Sequence, residues 1–162
     1  MPGDGHFCCE GHSGADRIAT ILAEAEARAS ATGARLTPVR KRTLELLLQS
    51  HGALGAYEVL EKLAAEGFGT QPPVAYRALN FLVEQGLAHR IRRLNAFTAC
   101  THPGHTHRAV FLICESCNSV TEAMGDAVGD ALCHAAEAVG FTLSRATIEA
   151  VGICASCESA RA

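Results

Sequence analysis

No stretch of this 162-residue sequence approaches the roughly 18 consecutive apolar residues of a membrane-spanning helix, so no span is expected. The opening segment, MPGDGHFCCEGHSG, lacks a basic run followed by an apolar one, which argues against a secretory signal. Without export, the eight cysteines belong in a reducing cytoplasm as thiols or metal ligands rather than disulfides. Neither Cys-x-x-Cys pair is expected to open a helix after a strand within a βαβ pattern, which disfavours thioredoxin-like redox chemistry. Also missing is the H-x-E with P-C-x-x-C combination of zinc-dependent nucleobase deaminases. An enzyme with a small-molecule substrate is therefore not expected.

What is present is unevenly distributed. Residues 1–34 carry 2 basic and 5 acidic side chains, residues 35–93 carry 9 and 5, and residues 94–162 carry 3 and 7. The local balances of −3, +4 and −4 sum to the net −3. Six cysteines, Cys100, Cys114, Cys117, Cys133, Cys154 and Cys157, fall in the last stretch, and the basic one has none. A basic, cysteine-free part followed by an acidic, cysteine-rich part reads as two domains with different tasks.

Residues 1–15 are glycine-rich and aperiodic, the pattern of a tail. From Asp16, Ile18, Ile21, Leu22 and Ala25 recur at helical spacing up to Gly33. Thr37-Pro38 reads as a second helix start, hydroxyl as cap and proline at the first position, followed by a Leu44, Leu47 and Leu48 stripe. Helices over 56–66 and 73–85 end at Gly67 and Gly86. Residues 87–100 then alternate at period two around a turn at Asn95. Within this order, a run of three helices followed by a basic hairpin is that of a winged helix-turn-helix, though a generic small helical domain fits the same pattern. Beyond it, Ala109–Ile113 and Val120–Ala123 read as strands, Asp126–Val139 as a helix and Thr147–Ile153 as a strand. That small α+β unit has little core and calls for a metal, a partner subunit, or both.

Three groups of residues carry chemistry. Cys114-Glu-Ser-Cys117 and Cys154-Ala-Ser-Cys157 are two knuckles, together suited to a closed tetrahedral four-sulfur zinc site of structural type. The 36 residues between the pairs exceed a compact zinc ribbon, so the metal would join elements distant in the chain. His89, Cys100, His102, His105, His107 and Glu122 form a second, looser set, suited to a borderline metal or no more than a histidine-rich polar loop. On a helix from Pro73, Tyr76, Arg77 and Asn80 lie opposite the Leu79, Leu82 and Val83 face. Such a face can enter a major groove or be an ordinary solvated surface.

In order along residues 16–158, the segments Arg35-Leu-Thr-Pro-Val-Arg40, Ala56-Tyr57, Pro72 to Gly86, AVFLICESC and the closing ICASC resemble the ferric uptake regulator superfamily, in particular its zinc uptake branch. The resemblance implies a DNA-binding winged helix over residues 16–97, a hinge at 98–107 and an α+β dimerisation domain over 108–162. It implies two zinc ions per subunit, a structural one on Cys114, Cys117, Cys154 and Cys157 and a regulatory one on His89, Cys100, His107 and Glu122. His105 is close enough to compete with His107. Tyr57, Tyr76, Arg77 and Asn80 become the expected DNA contacts of a homodimer on double-stranded operator DNA. The expected function is repression of zinc-uptake genes when the regulatory site is filled, by restraining the swing of the winged helices about the hinge. A thiolate at Cys100 favours zinc over ferrous iron, and the H-H-x-H run of the iron branch is absent. The sequence departs from the family at Val74, where a hydroxyl residue is usual. His6, Cys8, Cys9 and His12 match nothing in it, and His51, Cys133 and His134 are assigned no ligand role.

Overall fold

Proline and glycine positions account for most helix limits in the computed structural model, which describes residues 14–50, 52–100, 109–144 and 146–160. α1 (Gly14–Ala31) buries Leu22, Ala25 and Ala29 as one stripe. α2 (Pro38–Gln49) starts on a proline, whose missing N–H is one that a helix start leaves unsatisfied anyway. The expected cap by the Thr37 hydroxyl is corrected: Thr37 is extended at φ −65°, ψ 160° and makes no side-chain cap bond. Its carbonyl accepts the Lys41 N–H at 2.9 Å instead.

A two-residue strand, β1 (Leu54–Gly55), leads into α3 (Ala56–Ala65). Glu58 reaches back to accept the Gly55 N–H at 2.7 Å, the half of a capping box open to a glycine. α4 (Pro72–Glu84) again begins on proline. Gly67 and Gly86 close α3 and α4 at φ +82° and +67°, where a β-carbon would be strained. β2 (Ala88–Ile91) and β3 (Ala96–Ala99) form the hairpin around Asn95, which sits at φ 47° and accepts Arg90 Nη2 at 3.0 Å. β1 adds to the far side of β3, in the order β1-β3-β2. The wing sheet thus has three strands rather than two, because a two-residue strand has no periodicity to read.

The second sheet contains β4 (Ala109–Cys114), β5 (Val120–Met124) and β6 (Ile148–Gly152), with α5 (Asp126–Ala138) before β6 and α6 (Ala155–Ser159) after it. Its order is β5-β4-β6, β4 running antiparallel to β5 and parallel to β6. The parallel pair requires a crossover, and α5 lies within it. α6 has no counterpart in the sequence reading. The second Cys-x-x-Cys opens α6 shortly after β6, but no further strand follows among the described residues, so no βαβ pattern contains it there.

Leu44, Leu63, Leu79, Leu82 and Leu87 are fully buried in one core spanning α1 to β3. A smaller cluster draws on both sheets: Ile91 of β2 with Phe111 and Ile113 of β4, flanked by Ala53, Leu94 and Val120. Around the second sheet Leu112, Met124, Val128 and Phe141 stay 47, 71, 49 and 62% exposed. Among the described residues no helix is long and apolar enough to cross a membrane.

Leu79 is wholly buried in the main core, so Leu79→Ala should lower the unfolding free energy by ~2–5 kcal/mol in urea titrations followed by circular dichroism. Glu61→Ala, at an exposed position of α3, should stay within ~0.5 kcal/mol of the parent.

Candidate metal centres and nucleic-acid face

The parallel pairing of β4 and β6 places Cys114 opposite Gly152. Both Cys-x-x-Cys segments therefore leave the sheet at the same end, which is how 36 intervening residues close one cluster. Cys114 ends β4 and Cys117 lies in the following turn, where Asn118 donates its N–H to the Cys114 carbonyl at 2.9 Å. Cys154 is the N-cap residue of α6 and Cys157 lies within it. The four Sγ atoms lie within 4.8 Å of one another. Cys117 Sγ is 3.8 Å from Cys154 Sγ, the edge of a tetrahedron with metal–sulfur bonds of ~2.3 Å and far beyond a disulfide bond of ~2.05 Å. The donor set fits a four-coordinate thiophilic cation.

Their electrostatics fit it too. The Cys154 N–H donates to Cys114 Sγ at 3.4 Å, and this bond, helped by the Cys117 N–H, lowers the Cys114 thiol to about 6. Cys117 is held below its usual range by the Ser119 hydroxyl, 3.2 Å away. Crowding by the sulfurs of Cys154 and Cys117 pushes Cys157 up to about 12. Thiols this close resist complete ionisation until a cation offsets their mutual repulsion.

The second cluster lies where the two sheets meet. His89 comes from β2, Cys100 directly follows β3 and Glu122 comes from β5; their donor atoms also lie within 4.8 Å of one another. The Cys100 N–H donates to the Leu87 carbonyl at 3.0 Å, holding the thiol beside the strand end. His89 Nε2 is 3.4 Å from Glu122 Oε1, and the Glu122 side chain is only 5% exposed. The His89 ring tilts at 55° onto Phe111, centroids 5.1 Å apart. One imidazole, one thiolate and one carboxylate are a donor set suited to zinc. The sequence-expected ligands His102, His105 and His107 lie outside the described residues, as do His51 and the tail residues His6, Cys8, Cys9 and His12. Cys133 is half-buried in a cleft of about 940 Å³ between the sheets, and His134 is exposed; neither joins a metal-binding group among the described residues.

On α4, Tyr76, Arg77 and Asn80 are exposed, and Asn80 also lines the rim of that cleft. Tyr57, 68% exposed, stands in the first turn of α3. Part of the basic excess is used internally. Arg42 forms a two-pronged pair with Glu66 at 2.6 and 2.7 Å and also reaches Glu45, while Lys41 pairs with Glu26 at 2.7 Å. Arg40 lies over the Phe81 ring at 3.6 Å.

The sequence reading missed Phe111 and Glu149. Phe111 is the platform under His89, yet in sequence it is one apolar residue of a strand. Glu149 accepts the N–H groups of Arg92 and Arg93 at 2.7 and 3.0 Å. That contact is made to backbone, which leaves no side-chain pattern to read.

Residues 31–151 match the profile of the ferric uptake regulator family. The zinc uptake regulation protein of Escherichia coli K12 is 37% identical over 138 residues, covering 85% of this chain and 81% of that protein. A solved zinc uptake regulator in complex with zinc and DNA superposes with a TM-score of 0.85 at 35% identity, covering 89% of this chain and 97% of the other. Holo XcZur superposes at 0.78 with 36% identity (86% and 98% covered), whereas apo XcZur reaches only 0.50 at 37% (88% and 99% covered). At matched identity and coverage, the arrangement here is thus nearer that of the holo form.

Cys114→Ser should remove one tightly held metal ion per subunit and abolish folding or self-association of the second unit, measured by metal analysis and sedimentation on the purified chain. A variant that lacks that metal yet keeps parental stability and assembly would exclude a structural site here.

Proposed function

The chain belongs to the ferric uptake regulator family, and from that premise we propose that it is a cytoplasmic, zinc-responsive transcriptional repressor. It binds operator DNA as a homodimer when its regulatory site is filled, represses zinc-uptake genes and is not an enzyme. The observation that carries this reading is the gathering of His89, Cys100 and Glu122 from both sheets at their junction. A donor set that bridges two units can report metal occupancy as a change in their arrangement. Each subunit carries two zinc ions in this reading, a structural one on Cys114, Cys117, Cys154 and Cys157 and a regulatory one on His89, Cys100, Glu122 and His107. His105 is a competitor for the last position.

When bound, zinc supplies the coordinate bonds that tie the wing to the second sheet. The protein's own residues prepare that union. Phe111 orients the His89 ring, and the Leu87 carbonyl positions Cys100 through its N–H. Glu122 brings its carboxylate from the far side of the junction. Holding the winged helices in place lowers the entropy lost on DNA binding, so metal and operator are coupled with the same factor in both directions. Switching a population from 1:99 to 99:1 takes about 5.5 kcal/mol of differential affinity, within the ~10–16 kcal/mol reached by zinc sites in peptides. The better superposition on the holo than on the apo relative supports an arrangement of the loaded kind. The thiolate at Cys100 favours zinc over ferrous iron.

Pairing of two second units covers their exposed apolar residues and presents two α4 helices to a pseudo-palindromic site. There Tyr57, Tyr76, Arg77 and Asn80 contact phosphates and base edges.

Gel shifts on candidate uptake-gene promoters test the reading. Cys100→Ser and His89→Ala should keep the dimer and the structural zinc but lose zinc-dependent operator binding, His105→Ala should have a modest effect, and His51→Ala none. A Cys100→Ser protein that holds two zinc ions per subunit and binds operator normally would overturn the assignment. Arg77→Ala should weaken operator binding by ~1–3 kcal/mol and relax selectivity at one base pair; unchanged binding would displace α4 from the groove.

A further inference from the structure

Phe111 lies in register with Glu122 on one side and Glu149 on the other, a row across β5, β4 and β6. Directly paired residues share a sheet face, so this row offers a carboxylate, a ring and a second carboxylate to whatever docks on it. β2 and its turn dock there. His89 lies over Phe111 and against Glu122. Three residues further on, at ~3.3 Å per residue along the strand, the chain turns. Here Arg92 and Arg93 direct consecutive N–H groups to the two oxygens of Glu149 at 2.7 and 3.0 Å. Two successive N–H groups converging on one anion form a small nest, and hydrogen bonds to a charged acceptor are stronger than neutral ones.

We propose that Glu149 is a positioning residue for the metal switch: it latches the turn of the wing to the second sheet and sets the zinc concentration at which the regulatory site fills. This rests on the zinc-responsive reading above. The latch shares the docked arrangement with the metal cluster but none of its donors, since neither Glu149 nor the wing turn belongs to that group. It therefore favours docking whether or not metal is present. A site that exists only when docked has an apparent dissociation constant equal to the intrinsic one divided by the docked fraction. Removing the latch lowers that fraction and raises the zinc requirement, and saturating zinc restores docking. Loss of a negative charge beside Arg92 and Arg93 would by itself tighten DNA binding, an effect of opposite sign to the one expected.

The test is operator binding by the full-length dimer across a buffered series of free zinc concentrations, together with amide hydrogen exchange at residues 92 and 93. Glu149→Ala should raise the half-saturating zinc concentration roughly three- to tenfold, and Glu149→Gln, which keeps one acceptor oxygen, by less. Zinc content, thermal midpoint and operator affinity at saturating zinc should stay within about twofold or a few degrees of the parent. In Glu149→Ala, exchange at Arg92 and Arg93 should accelerate while that of β3 does not. An unshifted half-saturation point, or a loss of saturating affinity together with thermal stability, overturns the proposal. If the parent's operator binding ignores zinc, the functional reading fails instead. Unchanged exchange at residues 92 and 93 then rejects the latch, and faster exchange upholds it as a docking contact.

Discussion

The arrangement of this protein depends on the docking of β2 and its turn onto the row Glu122, Phe111 and Glu149. Among the described residues few groups make that contact. Its apolar part is Ile91 with Phe111 and Ile113, and its polar part is two carboxylates, one facing His89 and one facing the Arg92 and Arg93 backbone. Contacts between units of one chain leave relative motion as the default unless they are extensive and apolar. A modest added free energy can therefore decide between docked and undocked populations. That sensitivity suits a sensor, and it is why the proposed regulatory ligands are informative where they are and would be inert inside either unit.

The two halves solve the problem of stability in different ways. The first buries a continuous leucine-rich core between α1 and β3 and can hold its shape by hydrophobic burial. The second has three short strands and one longer helix and leaves Leu112, Met124 and Phe141 open. The parallel β4–β6 pair closes its far end by bringing four cysteine sulfurs together. In the proposed reading a metal there substitutes for missing core, and a second copy over the exposed apolar residues supplies the rest.

Three of the nine basic side chains of residues 35–93, those of α2, are engaged within the protein. Lys41 and Arg42 are engaged with Glu26, Glu45 and Glu66, and Arg40 lies on Phe81. These cations brace α2 against its neighbours. Arg77, with Tyr76 and Tyr57, stays on the exposed side of the helix-turn-helix, so the proposed base contacts rest on few side chains and on their spacing in a dimer.

Local chemistry alone determined much of this protein. Helical spacing of leucines, prolines at Pro38 and Pro72, and glycines at Gly67 and Gly86 are short-range signals, and the order of elements followed from them. The four-cysteine group was equally legible, because two Cys-x-x-Cys pairs have few uses in a reducing setting. Tertiary structure decided what spacing does not encode. The pairing of β1 with β3 and the short α6 carry no readable period, and the Thr37 hydroxyl makes no cap bond at the start of α2. That His89, Cys100 and Glu122 converge depends on two sheets meeting at one register. That Glu149 grips a turn 56 and 57 residues away depends on backbone N–H groups. Every residue but proline carries such a group, so no side-chain pattern in the sequence marks which two a distant carboxylate will hold.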